Sequence, residues 1–285
     1  MKRSDFRFLD RLRVRWAEVD LQKIVFNGHY LMYFDTAVAG YWRALALPYH
    51  QTMEQLQGDL YVRKATLEYE GSARYDDQLE VGIRCDRIGN SSMVFAAAAF
   101  RGEQRLVHGE LVYVFADPAT QTSRPVPPPL REWLHGFEAG QSMIELRCGS
   151  WGELGTPART LRHAVFVADL GLPQALVADE RDDGALHVVA RNRMGLALAC
   201  GRLLSPAPGL GQIGRLATLP ALRGAGFGQA VLTELIRASR QRGDREVVLQ
   251  AAASALRFYE RAGFRRSGGE VFEAGEQHIE MRLAL

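Results

Sequence analysis

The sequence has few cysteines and no apolar run long enough to cross a membrane. Its three cysteines, Cys85, Cys148 and Cys200, lie far apart, and no C-x-x-C pair occurs. This spacing suggests neither a zinc site built on paired cysteines nor a disulfide framework. A membrane-spanning helix needs about 18 consecutive apolar residues, and the first residues contain no apolar signal segment. These absences predict a cytoplasmic protein that binds no metal and no membrane.

The charges are nearly balanced, since 35 Lys and Arg oppose 33 Asp and Glu for a net charge of +2. The arginines are scattered and do not form a basic stripe. The sequence therefore gives no electrostatic case for nucleic acid as a partner, although a slight basic excess suits a small anionic ligand. The length of 285 residues predicts two domains.

The first half has the pattern of a strand, a long helix and an antiparallel meander. Alternating charged and apolar residues predict a strand over residues 11–16. A pattern that is apolar nearly all round predicts an enclosed helix over residues 29–47. Four strand-like runs follow, at residues 60–69, 79–87, 93–101 and 106–115. This order fits a sheet wrapped round one long helix.

The second half mixes strands and helices, which predicts a mixed α/β domain around a central sheet. Strands are predicted at residues 143–147, 186–191, 194–204, 213–219 and 246–250. Helices are predicted at residues 157–169, 229–241 and 253–262, before a final hairpin at 264–283. The whole chain is thus predicted to be an α+β protein with domains at residues 1–138 and 139–285.

The segment with the clearest chemistry is the glycine-rich loop at residues 223–228, between a predicted strand and a predicted helix. Gly224, Gly226 and Gly228 let backbone N–H groups face one point, beside the helix N-terminus and the charge of Arg223. Such a loop suits phosphate oxygens. Within this loop, neither G-x-G-x-x-G nor the Walker A pattern is matched. The loop alone therefore leaves two interpretations, an anion cradle or a tightly packed corner.

Residues from about 143 to 285 resemble the GNAT family of acyl-CoA-dependent N-acyltransferases, and its ElaA-type branch most of all. Five segments in matching order carry the resemblance: LRHAVFV (161–167), IGR (213–215), LRGAGFG (222–228), FYERAGF (258–264) and HIEM (278–281). It implies that backbone groups of Leu216, Ala217 and Thr218 bind the pantetheine arm of acyl-CoA. It also implies that the pyrophosphate is held by Arg223, Gly224, Ala225, Gly226, Phe227 and Gly228.

The same resemblance implies that Tyr259 is the general acid that protonates the leaving thiolate after an amine attacks the thioester. The alternative is that Tyr259 only packs against neighbouring aromatic rings. His187 and His278 fall on family positions and are expected to line the acceptor pocket, although each also suits a structural histidine. The chain departs from close relatives at Ala252, at Asp169-Leu170 and at residues 275–278.

Residues from about 9 to 137 resemble the hotdog-fold acyl-CoA thioesterases of the 4-hydroxybenzoyl-CoA and YbgC/FadM type. The segments RWAEVD (15–20), IVFNGHY (24–30), ARYDD (73–77) and SRPVP (123–127) carry the resemblance. It places Asp20 on the catalytic aspartate, which acts as general base on water or attacks the thioester carbonyl itself. The alternative is that Asp20 is a solvated turn residue.

The thioesterase resemblance implies further site residues around Asp20. Asn27 and His29 are expected to contact substrate at the start of the long helix, where backbone N–H groups can polarise the thioester oxygen. The family pattern Asp-x-x-Gly ends here in Lys23, which either reshapes the loop, binds substrate or marks weak or lost activity. The resemblance also implies at least a homodimer, with Asp20 of one chain facing the strand of Tyr61 in another.

Together, the two resemblances predict a bifunctional enzyme. Its first half hydrolyses acyl-CoA, and its second half transfers the acyl group of acyl-CoA to an amine. Acyl-CoA is then a co-substrate, and no cofactor is permanently bound. An alternative is that the first half is a non-catalytic module for acyl-CoA binding and dimerisation, so that only the acyltransferase is active. A third possibility is a scaffold of two degenerate domains.

Overall fold

The computed structural model describes residues 1–273 and 276–285. The chain divides into two compact units, unit 1 (Met1–Met143) and unit 2 (Ile144–Leu285), each with its own sheet. Among the described residues, no helix combines the length and the apolar character that crossing a membrane requires.

Unit 1 contains one five-stranded antiparallel sheet. Its strands are β1 (Phe8–Arg13), β2 (Asp59–Tyr69), β3 (Gln78–Ile88), β4 (Ser92–Arg101) and β5 (Gln104–Ala116). The order β1-β3-β4-β5-β2 places β1 and β2 at the two edges. β1 begins before the strand predicted at residues 11–16, and Trp16 lies instead in a short 3-10 turn.

The long helix α1 (Asn27–Ala44) packs against this sheet and forms the centre of the core of unit 1. The fully buried ring of Tyr41 meets the rings of Phe8, Phe95 and Phe137 edge to face. The helix ends before the predicted residue 47, because Ala46 adopts a left-handed φ of 60°.

Helix α1 is not enclosed on every side, contrary to the expectation from its composition. The side chains of Leu31 and Met32 are 42% and 56% exposed. A short helix α2 (Tyr49–Gln55) follows α1, and α3 (Pro128–Glu138) closes the unit. The Tyr41 hydroxyl donates a hydrogen bond to the Glu138 carboxylate, which joins the end of α3 to the core.

Unit 2 contains one seven-stranded mixed sheet. Its strands are β6 (Ile144–Gly149), β7 (Leu186–Asn192), β8 (Ala197–Ala207), β9 (Leu210–Thr218), β10 (Glu246–Ala252), β11 (Arg265–Glu273) and β12 (Glu276–Ala284). The order is β11-β12-β10-β9-β8-β7-β6, and within the described chain only β9 and β10 pair in parallel. Residues 274 and 275 of the predicted final hairpin lie outside the described residues, and so does the sequence departure at Gly275.

Two helices cover opposite faces of this sheet. Cys200 on β8 packs with α4 (Trp151–Arg162), whereas its neighbour Gly201 faces α5 (Phe227–Arg242). Because successive strand residues point to opposite faces, the two helices lie on opposite sides. A third helix, α6 (Leu256–Arg261), follows β10.

The second unit differs from the sequence prediction at two places. Helix α4 begins well before the predicted residue 157, because Ser150 and Glu153 form a capping box at its N-terminus. It continues as a π-helical segment over His163–Asp169. The segment between the strands predicted at residues 194–204 and 213–219 mostly belongs to β8 and β9, which join in a tight hairpin turn where Gly209 supplies a φ of 75°.

Candidate active sites

The cleft of unit 2 forms where two parallel strands part. Strands β9 and β10 pair over only three residue pairs, the last being Val248 with Gln212. Both strands continue beyond this pair, β9 to Thr218 and β10 to Ala252. Backbone N–H and C=O groups along the parting edges therefore lack the partner that a closed ladder would supply. A cleft with a volume of about 850 Å³ lies at this opening.

The cleft brings together most of the residues predicted for acyl-CoA binding. It is lined by Tyr259 and His278 and by the predicted cofactor residues Leu216, Ala217, Thr218, Arg223, Gly224, Gly226, Phe227 and Gly228. Ala225 does not line it, and the Ala225 amide donates a hydrogen bond to the Leu222 carbonyl across 3.3 Å. The loop and the end of β9 thus face one space.

The glycine-rich loop requires glycine for two different reasons. Gly224 and Gly226 have φ angles of 83° and 91°, which L side chains rarely adopt. A Cβ on Gly228 would lie 2.9 Å from the Thr218 hydroxyl oxygen, so this glycine allows α5 to approach β9. The sequence left open an anion cradle or a packed corner, and the loop has features of both.

The N-terminus of α5 faces the cleft with unpaired amides. No side chain caps Gly226, and Ala230 donates to the Gly226 carbonyl across 3.0 Å. The amides of the first turn before Ala230 have no acceptor within the helix. Together with the dipole of α5, they form a position suited to phosphate oxygens.

Arg223 in this loop forms an ion pair that sequence reasoning did not predict. Its Nη2 lies 2.6 Å from the Asp169 Oδ2 at the end of the π-helical segment. Both side chains are partly exposed, so a bound phosphate can share or replace the carboxylate as the partner of Arg223.

The environment of Tyr259 is compatible with both interpretations that the sequence allowed. Its ring packs against Phe258 and Phe264 at centroid distances of 5.0 and 6.0 Å, yet the residue also lines the cleft. Burial raises the pKa of Tyr259 to about 12. The hydroxyl is therefore protonated at neutral pH and can donate a hydrogen bond.

The two candidate histidines lie in different environments. His278 on β12 pairs with Ala252 on β10, and its half-buried side chain lines the cleft. His187 is fully buried, with its Nε2 2.9 Å from the Asp182 carbonyl oxygen and its ring against Trp151. Burial lowers the pKa of His187, so it is neutral at neutral pH. These contacts correct the expectation that His187 lines the acceptor pocket.

A buried cluster of charges lies behind the cleft and was missed at the sequence level. This Arg–Asp cluster consists of Arg162, Asp179, Asp182, Arg202 and Arg215. Arg202 Nη1 lies 2.7 Å from Asp179 Oδ1 and 2.8 Å from Asp182 Oδ1. Arg162 Nη1 lies 3.0 Å from Asp182 Oδ1, and Arg215 Nη2 lies 2.9 Å from Asp179 Oδ2. Arg202 and Arg215 also line the cleft.

Hydrogen bonds and charge keep both carboxyl groups of the cluster ionised. The Arg202 guanidinium holds the pKa of Asp179 well below its usual range. Burial alone would raise the pKa of Asp182, but hydrogen bonds from the Asp179 amide, Arg202 and Arg162 outweigh it. The sequence contains a signal for this cluster, because a charged residue within an apolar strand, such as Arg202, is usually buried and paired with an opposite charge.

Arg215 reaches this cluster from a β-bulge. Cys200 pairs with Ala217 and Arg202 with Gly214, so Arg215 and Leu216 together oppose one residue of β8. Arg215 adopts a left-handed φ of 51°. A bulge re-aims the side chain that it carries, and here the Arg215 guanidinium meets Asp179 beside the cleft.

The candidate site of unit 1 is the loop that leads into α1. The Asp20 amide donates to the Ile24 carbonyl across 2.9 Å, and the Phe26 amide donates to the Glu18 carbonyl across 3.0 Å. The loop therefore folds back on itself and holds Asp20 near the start of α1. Asp20 is partly buried, and its Oδ1 accepts a hydrogen bond of 2.8 Å from the Gln22 amide.

Lys23 adopts the backbone conformation that glycine would favour. Its φ is 63°, and its amide donates to the Asp20 carbonyl across 2.9 Å. A left-handed conformation costs a lysine about 1 kcal/mol. Since the lysine itself adopts this conformation, the turn between Asp20 and Lys23 closes without glycine.

Glu18 is a buried carboxylate near Asp20 that sequence reasoning did not select. It is 4% exposed and accepts a hydrogen bond of 2.7 Å from the Tyr33 hydroxyl on α1. Burial acts to raise the pKa of Glu18, but hydrogen bonds from Arg15 and Tyr33 outweigh it and lower the pKa. These bonds fasten the loop to α1 and so fix the base of the Asp20 turn.

The predicted substrate contacts of unit 1 do not all meet within one chain. Asn27 begins α1, and its carbonyl accepts a hydrogen bond of 3.2 Å from the Tyr69 hydroxyl on β2. His29 lies in the first turn of α1 against the ring of Phe26. Tyr61 lies on edge strand β2, and no hydrogen bond or ion pair among the described residues joins it to the Asp20 loop.

Neither unit gathers a metal site from its described side chains, since no three histidine, cysteine, aspartate or glutamate residues form a suitable group there.

Comparison with protein families matches each unit to a different family. The model described as Acetyltransferase (GNAT) domain matches residues 164–285. The model described as Thioesterase superfamily matches residues 22–108. The two matched segments lie in unit 2 and unit 1 respectively.

Individual proteins are each similar to a part of the chain. A UPF0039 protein of Schizosaccharomyces pombe is 31% identical over 127 residues, which cover 44% of this chain and 84% of that protein. The acyl-CoA thioester hydrolase YbgC of Escherichia coli O6:H1 is 28% identical over 121 residues, which cover 41% of this chain and 87% of YbgC. The crystal structure of an acyl-CoA N-acyltransferase from Pseudomonas aeruginosa is 30% identical, with a TM-score of 0.44, and covers 50% of this chain and 99% of that one.

The buried hydroxyl of Tyr259 predicts a measurable loss of stability at alkaline pH. Its pKa is about 12 in the folded chain against 10.0 ordinarily. Between these values the unfolded chain loses a proton that the folded chain keeps, so the free energy of unfolding falls by about 1.4 kcal/mol per pH unit. We expect urea unfolding to show this decline between pH 10 and 12, and Tyr259→Phe to reduce it by about 2 to 3 kcal/mol.

Tyr75→Phe is the matched control, because this tyrosine is 54% exposed. Its unfolding free energies should follow those of the wild type at every pH. If the free energy of unfolding declined equally with pH in the wild type and in Tyr259→Phe, this result would contradict the proposed burial of the Tyr259 hydroxyl.

Proposed function

We propose that the chain is a bifunctional enzyme of CoA thioesters, because unit 2 matches the acetyltransferase (GNAT) domain model and unit 1 matches the thioesterase superfamily model. Unit 2 transfers the acyl group of acyl-CoA to an amine, and unit 1 hydrolyses acyl-CoA. The cleft between β9 and β10, with Tyr259 and the glycine-rich loop on its walls, carries the proposal for unit 2. Asp20 in the loop before α1 carries the proposal for unit 1.

Acyl-CoA fits the cleft of unit 2 in one direction. The amides of the glycine-rich loop and α5, with Arg223, take the pyrophosphate. The parted edge of β9 at Leu216, Ala217 and Thr218 supplies backbone groups to the pantetheine arm. The thioester then lies farther back along β9, toward the level of Gly214.

The transfer step joins the amine nitrogen to the thioester carbonyl carbon and breaks the C–S bond. His278 is the group in the cleft suited to take the proton from the attacking amine. Tyr259 donates a hydrogen bond to the departing thiolate. Because its pKa of about 12 lies above the ordinary thiol value of about 8.5, Tyr259 acts mainly as a hydrogen-bond donor, and water supplies the final proton.

Variants of these two residues test the transfer reaction. We expect Tyr259→Phe and His278→Gln each to lower kcat for acetyl transfer by about 100-fold, with the KM for acetyl-CoA nearly unchanged. The measurement is thiol release from acetyl-CoA that depends on an added amine.

His163→Gln is the control, because His163 is exposed and does not line the cleft. It should transfer acetyl groups at the wild-type rate. An unchanged kcat in both cleft variants would remove Tyr259 and His278 from the mechanism.

Hydrolysis in unit 1 needs a carboxylate and a group that polarises the thioester. Asp20 supplies the carboxylate, either as general base for a water molecule or as nucleophile. The dipole at the N-terminus of α1 polarises the thioester carbonyl. The turn closed by Lys23 and the bonds of Glu18 support the hydrolytic function, because they hold Asp20 beside that helix start.

A pair of substitutions tests the hydrolytic site and the role of Lys23. We expect Asp20→Asn to lower hydrolysis of an acyl-CoA panel by at least about 100-fold, because the amide keeps the Gln22 hydrogen bond but accepts no proton. Lys23→Gly should retain hydrolysis and unfold at the same or a higher temperature, since glycine adopts the left-handed conformation without strain.

Asp76→Asn is the matched control, because Asp76 is exposed in a turn of the same unit with a left-handed φ of 71°. It should leave hydrolysis unchanged. If Asp20→Asn also hydrolyses at the wild-type rate, Asp20 is not the catalytic carboxylate. If the wild type itself hydrolyses no acyl-CoA, unit 1 is a binding module and not a thioesterase.

A homodimer through unit 1 is part of the proposal. Strand β2 is an unpaired edge, and apolar side chains stay exposed on it and near the start of α1: Phe26, Leu31, Met32, Val62 and Tyr69. Exposed apolar surface beside an open strand edge favours association. A second copy placed there would bring its Tyr61 strand to the Asp20 loop, which no contact within the chain does.

Sedimentation velocity of the full chain tests this assembly. We expect a dimer at micromolar concentration, and Met32→Glu should weaken it by at least about tenfold, because a carboxylate would be buried without a partner. Gln51→Glu, at an exposed position of α2, should remain dimeric. A wild-type monomer would contradict the assembly.

A further inference from the structure

The described Asp, Glu, Lys and Arg side chains that line the cleft of unit 2 are all positively charged. Among the described residues that line it, five are arginines and none is an aspartate or glutamate. Arg223 lies in the glycine-rich loop at the proposed pyrophosphate position, and Arg261 lies at the end of α6. Three further arginines, Arg181, Arg202 and Arg215, belong to the other part of the wall.

These three arginines belong to the part of the cleft where we place the thioester, near Gly214 of β9. Arg202 pairs with Gly214 on β9, whereas the strand reaches the glycine-rich loop only after Thr218. At about 3.3 Å per residue, Gly214 and Thr218 are about 13 Å apart. The phosphates of acyl-CoA are therefore bound elsewhere, and its thioester is uncharged. Acyl-CoA does not account for positive charge at this level.

The Arg–Asp cluster contains more guanidinium groups than carboxylates. Arg162, Arg202 and Arg215 bond to the two carboxylates, and His187 beside them is neutral because burial lowers its pKa. Arg162 and Arg202 are buried, so solvent screens their charges little. Glu180 and Asp183 are exposed and do not line the cleft.

Arg181 adds a second positive charge to this side of the cleft. Its side chain is 61% exposed, and its Nη2 lies 3.7 Å from Asp179 Oδ2, a long ion pair. Asp179 is already bonded to Arg202 and Arg215. The Arg181 guanidinium can therefore turn to an anion in the cleft without breaking a short hydrogen bond.

We infer that the acceptor of unit 2 is an amine that also carries an oxyanion group, a carboxylate or a phosphate, which binds to Arg181 beside Arg202 and Arg215. This inference rests on the proposed acyl transfer and names the substrate class of that site. The planar fork of arginine matches both oxyanions. The same positive field disfavours the ammonium form of the bound amine and so favours the nucleophilic form.

Gln250 offers a contact for the other end of such an acceptor. It lines the cleft two residues beyond Val248, the last residue of β10 that pairs with β9. Its Oε1 is buried and has no hydrogen-bond partner among the described residues. A buried acceptor without a donor is costly, and the N–H of an incoming amine supplies that donor. Gln250 and the arginines would then hold the amine and the oxyanion of one molecule.

Matched acceptors test the inference. Acetyl transfer from acetyl-CoA is measured with β-alanine, O-phosphoethanolamine and propylamine, and with phenylalanine and 2-phenylethylamine. We expect kcat/KM for at least one oxyanion-bearing acceptor to exceed that of its uncharged partner by about tenfold or more. Comparing β-alanine with O-phosphoethanolamine distinguishes carboxylate from phosphate.

Arg181→Gln should remove most of this preference by raising the KM of the oxyanion-bearing acceptor, with KM for acetyl-CoA unchanged. Arg261→Gln is the matched control at the other end of the cleft. It should raise the KM for acetyl-CoA and leave the preference between acceptors intact.

Two results would overturn the inference. Transfer with equal or better rates to the uncharged amines would remove the oxyanion from the substrate class and leave the acyl transfer proposal intact. Transfer to none of the five amines, with no binding of acetyl-CoA by calorimetry, would overturn the proposed function itself. If acetyl-CoA binds but no amine reacts, calorimetry in the presence of CoA compares the two possible products, N-acetyl-β-alanine and N-propylacetamide. Tighter binding of N-acetyl-β-alanine supports the inference. Equal binding of the two products, or binding of neither, refutes it.

Discussion

The parting of β9 and β10 is the constraint on which unit 2 depends. A parallel pair that closed along its full length would bury the backbone of Leu216, Ala217 and Thr218 in a ladder and leave no cleft. Because the pairing stops at Val248 and Gln212, one opening receives the helix N-terminus of α5, the hydroxyl of Tyr259 and the side chain of His278. The bulge at Arg215 lies on the same parted strand and brings its guanidinium to Asp179.

Local patterns predicted much of this fold, and long-range charge pairing could not be predicted in the same way. The meander of unit 1 and the strand, glycine-rich loop and helix of unit 2 follow from hydrophobic period and glycine positions. The early start of α4 depends on the capping box of Ser150 and Glu153, a signal that the sequence contains. His187 was misplaced because a motif position does not report whether a side chain points into a cleft or into the core.

Lys23 illustrates how a sequence departure can leave a backbone intact. The residue type argues against a left-handed turn, yet the hydrogen bond to Asp20 and the packing of Glu18 under α1 determine the conformation there. A strained residue persists where its surroundings over-determine it. The residue type at position 23 was thus a weaker guide to the backbone conformation of the loop around Asp20 than the contacts on either side of it.

The strand order also bears on how the chain is made. The sheet of unit 1 is complete in sequence by Ala116, so this unit can fold while the ribosome is still synthesising unit 2. In unit 2 the last strand, β12, lies between β10 and β11. An interior place in that sheet therefore stays vacant until β12 has been synthesised, and His278 arrives with this strand. A chain that stopped before β12 would retain the whole of unit 1 but lack one wall of the cleft of unit 2.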